Sequence, residues 1–230
     1  MIKKIFYIWF MFATVCTQAQ DLAKRNPDAK LADLISETQR EANEADEIGI
    51  VWWIPTEFWE LSFRDDPNIG ESEAQAMMDI IKDYTLVAVV KGKMGIFGGV
   101  TYESKKSLEE TLYITSVDGD IRKPLTENQI SPDLINLLGM LKPVFSNMMG
   151  NLGENFHFFV FDSKNSSDKF MFHPLSEDDF TVTVDKDDVF EYDLPLSSLI
   201  MPKICPEGKK ELNGKWNYCP IHGIALETQE

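Results

Sequence analysis

The spacing of apolar and polar positions divides this chain into short helices and paired strands. Asn26-Pro27-Asp28 has the form of an N-cap, a proline at the first helical position and an acid in the first turn. Leu31, Leu34 and Ile35 follow at helical spacing, so the pattern predicts a helix with one thin apolar face running to about Glu47. IGIVWWIP then predicts a buried strand ended by Pro55, and TEFWELSF fits either a short helix or a further strand. ESEAQAMMDIIKDY predicts a second helix with Ala74, Met77, Met78 and Ile81 on one side. TLVAVVKGK and MGIFGGVTYES predict strands around a glycine-bearing turn, and a short polar helix follows near Lys105 to Glu110. TLYITSV and IRKPL flank Asp118-Gly119-Asp120, a strong hairpin signal.

The longest helical pattern is SPDLINLLGMLKPVFSNMMG, in which Ser131 can cap, Pro132 fits the first helical position, and Leu134, Leu137, Leu138, Leu141, Phe145 and Met148 form a stripe. Pro143 is expected to kink or break it. Ile135, Met140, Val144 and Met149 fall off the stripe, so Ser131 to Gly150 is a candidate partner interface; burial on both sides is the competing reading. Two hairpins are expected beyond it, NFHFFVFD with DKFMFHP and FTVTVDK with VFEYDL. Several hairpins without regular strand-helix alternation predict an α+β fold, a mainly antiparallel sheet with three or four helices. PLSSLIMPKIC is the best boundary, placing an α+β domain over 20–200 and a small ribbon-like tail over 201–230.

The amino terminus changes the compartment. MIKKIFYIWFMFATVCTQAQ has Lys3 and Lys4, an apolar run from Ile5 to Cys16, and Thr17 and Ala19 at the small-residue positions before a cut ahead of Gln20. This is the form of a secretory signal over 1–19, too short to span a bilayer comfortably, and it implies a secreted or periplasmic mature chain with no integral membrane segment. Removing it takes two lysines from 22 basic residues against 38 acidic ones, leaving 20 − 38 = −18. A surface this acidic disfavours nucleic acid and anionic lipid as partners. Cys205 and Cys219 are then the only thiols.

The tail KICPEGKKELNGKWNYCPIHGIAL carries the sharpest chemistry. Its two Cys-Pro turns resemble the knuckles of a zinc ribbon, a resemblance confined to about twenty residues. It implies a metal held by Cys205, Cys219 and His222, but Gly208 stands where the first knuckle's second ligand belongs. Structural zinc sites are almost always closed by four ligands, whereas three with an open position is a catalytic pattern. The competing reading is a Cys205–Cys219 disulfide across a hairpin, which an oxidising compartment favours and which would stabilise by roughly 3 kcal/mol in the chain-entropy account. The compartment and the missing ligand make the disulfide the preferred expectation, with zinc as the alternative cofactor.

Other constellations are weaker. GKMGIFGG lacks phosphate-loop spacing and reads as a hairpin. VDGD and DKDD do not continue into a calcium loop and read as solvated turns. His157 and His173 could meet across the expected hairpin, near Asp162 or Glu177, as a metal or acid-base site. Trp52, Trp53, Phe58 and Trp59 could stack on sugar, although adjacent Trp52 and Trp53 must face opposite sides of a strand and core packing is the simpler role. The expected function is a non-catalytic exported module binding a protein or glycan of the cell envelope. The alternative is a metal-dependent hydrolase using His157 and His173 or an open zinc at the tail.

Overall fold

In the computed structural model, residues 22–42, 46–165, 169–186 and 188–228 are described; the expected signal over 1–19 lies outside them. Among these residues the strands are β1 (Gln39–Glu41), β2 (Glu47–Ile54), β3 (Tyr84–Met94), β4 (Val100–Tyr102), β5 (Tyr113–Ser116), β6 (Ile121–Arg122), β7 (His157–Asp162), β8 (Phe180–Asp185), β9 (Asp188–Tyr192), β10 (Lys203–Ile204), β11 (Glu211–Leu212) and β12 (Glu227–Thr228). The helices are α1 (Leu31–Thr38), α2 (Thr56–Asp65), α3 (Glu71–Ile81), α4 (Lys105–Thr111), α5 (Pro132–Met149) and α6 (Asn151–Glu154). Strands pair antiparallel in three sheets: β1-β2-β3-β4 with β7 also on β3, β6-β5-β8-β9, and β11-β10-β12. This is the α+β class, with more and shorter helices than the sequence pattern suggests.

The unbroken apolar run in β3 has a simple cause: Leu86 to Val90 are all buried because the strand faces apolar layers on both sides. Val87 and Val89 join Val51, Trp53, Phe159 and Phe161 against the second sheet, where Ile114, Phe180, Val182 and Tyr192 face them. Leu86, Ala88 and Val90 join Trp52, Ile54, Phe158 and Val160 under Leu134 and Leu137 of α5, Ile81 of α3 and Trp59 of α2. The layers therefore run sheet, sheet, helices. Trp52 and Trp53 point into different cores, as neighbours on a strand must. Fully burying a side chain the size of Trp53 removes roughly 200 Å² from water, about 5 kcal/mol of transfer free energy before entropy is counted. Trp59 is buried too, so these tryptophans are core and form no sugar platform.

Three expectations are corrected, and one left open between helix and strand is decided. The first helix begins only at Leu31 and ends at Thr38, because Gln39–Glu41 leave it to pair with Trp52–Ile50 of β2. Thr38 Oγ1 marks the switch, donating back to Leu34 O at 2.9 Å and accepting from Trp52 Nε1 at 3.1 Å. Pro27 precedes the helix, in a turn where Asn26 Oδ1 accepts the Asp28 N–H at 3.0 Å. TEFWELSF is helical, as α2. Among the described residues DKFMFHP makes no strand with β7: beyond the end of β7 the chain bridges back singly, Lys164 to Phe170, and β7 lies instead along β3. His173-Pro174 turns the chain there, with Ser176 N–H bonded to His173 O at 2.9 Å. Finally, α5 runs through Pro143 to Met149.

At its start α5 follows the sequence reading: Ser131 caps the Leu134 N–H at 3.2 Å and Pro132 opens the first turn. Its stripe packs inward, with Leu138, Leu141 and Phe145 joining the helix-side core, while Ile135, Met140 and Val144 are exposed. No helix among the described residues is long and apolar enough to cross a membrane.

Candidate metal centre

The tail is a three-stranded ribbon seated on the larger fold. Asn213 Nδ2 bonds Ser197 Oγ at 2.9 Å, Lys215 Nζ bonds Asp193 O at 3.2 Å, and Met201 N–H bonds Lys24 O at 3.1 Å. Gly214 is required at the ribbon's turn, since a Cβ there would fall 2.3 Å from Met201 O.

Two tight turns repeat one another within it. In the first, Cys205 N–H bonds Lys210 O at 3.0 Å and Lys209 N–H bonds Cys205 O at 2.8 Å. In the second, Cys219 N–H bonds Ile224 O and Gly223 N–H bonds Cys219 O, both at 2.8 Å. The fifth residue of each is left-handed, Lys209 at φ 51° and Gly223 at φ 67°. The Gly208 N–H also donates to Cys205 Sγ at 3.2 Å, the amide-to-sulfur contact expected of a knuckle that stabilises a thiolate.

These turns aim both sulfurs at one imidazole. His222 Nδ1 lies 3.2 Å from Cys205 Sγ and 3.4 Å from Cys219 Sγ, and the three ligand atoms fall within 4.8 Å of one another. A tetrahedral zinc with Zn–S of about 2.3 Å and Zn–N of about 2.0 Å places sulfur and nitrogen about 3.5 Å apart. The cluster thus has the dimensions of a ligand set and could hold a metal ion. Both cysteines are buried, while His222 is exposed. The preferred Cys205–Cys219 disulfide is not formed; both thiols are free. Each Cys-Pro turn directs its sulfur toward a shared centre that also contains His222 Nδ1. Burial pushes the Cys219 thiol up, but the backbone N–H groups of His222 and Ile221, with the Cys205 and His222 side chains, outweigh it and bring the thiol down to about 7.

The remaining candidates separate. His157 sits at the start of β7 opposite Val89, in a cavity of about 240 Å³ bordered by Lys105, Lys142, Ile135 and Leu138. Burial lowers its pKa, and Lys142 and Lys105 reinforce the effect. His173 lies in a different cavity of about 170 Å³ with Trp53, Glu57, Thr85 and Ser163. The two histidines are not brought together, because β7 runs between their cavities and the hairpin that would have joined them does not form. The acid beside His173 is neither Asp162 nor Glu177, both exposed, but Glu57 of α2, with Oε1 4.0 Å from His173 Nε2. His173 Nδ1 accepts the Leu175 N–H at 3.1 Å, which leaves Nε2 to carry the proton of the neutral ring. Burial pushes the Glu57 carboxyl up to about 7 and lowers His173. No pattern in TEFWEL marks Glu57 as the partner; only the packing of α2 against the His173 turn does.

The DKDD acids serve a lysine. Asp188 and Asp185, with Glu47, surround Lys91 on β3, Asp188 in direct contact and the others at 3.6 and 3.9 Å. Comparison with protein-family models, with curated proteins and with solved structures finds no match for this chain, so its function is argued from its own geometry.

Proposed function

We propose that this chain is an exported acidic module whose C-terminal ribbon binds one thiophilic metal ion, zinc first among them, through Cys205, Cys219 and His222. The observation that carries the reading is the convergence of two sulfurs and His222 Nδ1 at ligand-edge distances. Two thiolates and an imidazole are soft and borderline donors that suit Zn²⁺ and Cu⁺ and disfavour Ca²⁺ or Mg²⁺. Metal ligation also reconciles free thiols with export, because a bound ion holds the sulfurs as ligands and slows their oxidation. The test is metal analysis of the protein recovered after export, alongside intact mass under non-reducing conditions. One zinc per chain and reduced thiols are expected, with the metal lost in His222→Ala. A mass two hydrogens lower and no metal would restore the disulfide and remove this reading.

A second reading, docking of an envelope protein, is favoured by exposed apolar groups in two places. Ile135, Met140 and Val144 lie on the outer side of α5 at 39, 61 and 49% exposure, and Ile96 and Phe97 stand at the tip of the β3–β4 turn at 94 and 95%. Patches of this kind serve as contact surfaces. A glycan partner has less support, since the tryptophans that would stack on sugar are spent in the core.

A further inference from the structure

The repetition of the two knuckles assigns a counterpart to each ligand. Cys205 corresponds to Cys219, and the residue three further on is Gly208 in the first turn and His222 in the second. An ideal Cβ on Gly208 would lie 2.9 Å from His222 Cε1, 3.5 Å from His222 Nδ1 and 3.6 Å from Cys205 Sγ. A side chain at Gly208 would therefore project into the ligand cluster, as His222 does from the other side. The turn does not need glycine there: the positive φ belongs to the next residue, Lys209. What glycine does at 208 is let the His222 ring close against the first knuckle, so that this knuckle offers no second side-chain ligand. No fourth thiol, imidazole or carboxylate among the described residues joins the three. Gly208 is half-buried and His222 exposed, so the cluster is reached by solvent on this side.

We infer that a metal ion held by Cys205, Cys219 and His222 receives no fourth ligand from the described residues, Gly208 standing where the first knuckle would supply one, and that this fourth position takes a small monodentate donor from outside the chain. The inference rests on the metal reading above. Three protein ligands with an exchangeable fourth is the arrangement of zinc sites that bind solvent or substrate, whereas four protein ligands close a structural site. The donors that fit are compact anions and thiols, because Gly208 and the His222 ring already stand against each other beside the cluster.

Cobalt(II) is the probe, since its visible spectrum reports ligand number and sulfur ligation, and azide is the external donor. Full-length mature protein loaded with one cobalt should show a four-coordinate spectrum that shifts saturably with azide. Gly208→Cys should bind cobalt about tenfold or more tightly, gain sulfur-to-metal charge transfer, and lose the azide response. Gly208→Ala, whose methyl presses on His222 Cε1 without adding a ligand, should gain no sulfur-to-metal charge transfer, which separates the new thiolate of the cysteine variant from its bulk. A parent that binds one cobalt but ignores azide to saturating concentration overturns the open position and leaves the metal reading standing. A parent that binds no cobalt overturns both.

Discussion

Replacing Glu57 by glutamine tests whether the buried carboxyl beside His173 governs the pH dependence of stability. Glu57 is 7% exposed, with its pKa raised from 4.5 to about 7 chiefly by burial; Glu60 adds to the rise and Arg25 opposes it. A carboxyl that holds its proton more tightly in the folded chain than in the unfolded one favours folding while protonated in both states. That advantage is complete below about pH 4.5 and disappears as pH climbs through about 7. The interval between 4.5 and about 7 corresponds to roughly 3 kcal/mol at 1.36 kcal/mol per pH unit for one proton. Glutamine has nearly the same shape and no charge to bury, so Glu57→Gln should match the parent near pH 4.5 and exceed it by about 3 kcal/mol at pH 8. His173 titrates in the opposite sense, since burial lowers its pKa and its charging on acidification destabilises the fold. Because Glu57 Oε1 lies 4.0 Å from His173 Nε2, the same pair is compared in a His173→Asn background, where the carboxyl titrates without the imidazole. Urea unfolding across pH 4.5 to 8, analysed at constant slope, reads the effect directly. Parallel stability profiles for parent and variant would refute the assignment and mean that Glu57 ionises normally through solvent entering its cavity.

Lys209→Gly should stabilise the ribbon by about 0.5–1 kcal/mol in thermal unfolding, because it relieves a side chain at φ 51°, where Gly223 already stands in the matching turn; equal or lower stability would show that the turn relaxes around lysine. Met140→Glu with Val144→Glu should leave the melting temperature within about 2 °C of the parent, since both side chains are at least half exposed or close to it at 61 and 49%. The same variant should lose partners captured by cross-linking in the native cell; a folded protein that retains all of them would remove α5 from the docking reading.

The division between what was legible and what was not follows the range of the forces involved. Local patterns sufficed for β2, β3, β5, β8 and β9, for α3, α4 and the capped start of α5, and for the α+β class, because periodicity and capping act within a few residues. The two Cys-Pro turns were also legible, since each is closed by hydrogen bonds inside six residues. Long-range pairing decided the rest. Residues 39–41 look helical on their own but gain ladder bonds to β2, and β7, by lying on β3, sends Phe158 and Phe159 into the two cores on either side of the sheet. The same packing parted His157 from His173 and placed Glu57 beside the latter, and no spacing along the chain encodes that contact. In the ribbon, sequence named the three residues of the cluster that could hold a metal, and the glycine at 208. Only the folded geometry turned both sulfurs onto one imidazole, because the direction of a side chain at a turn is set by the backbone of both knuckles together.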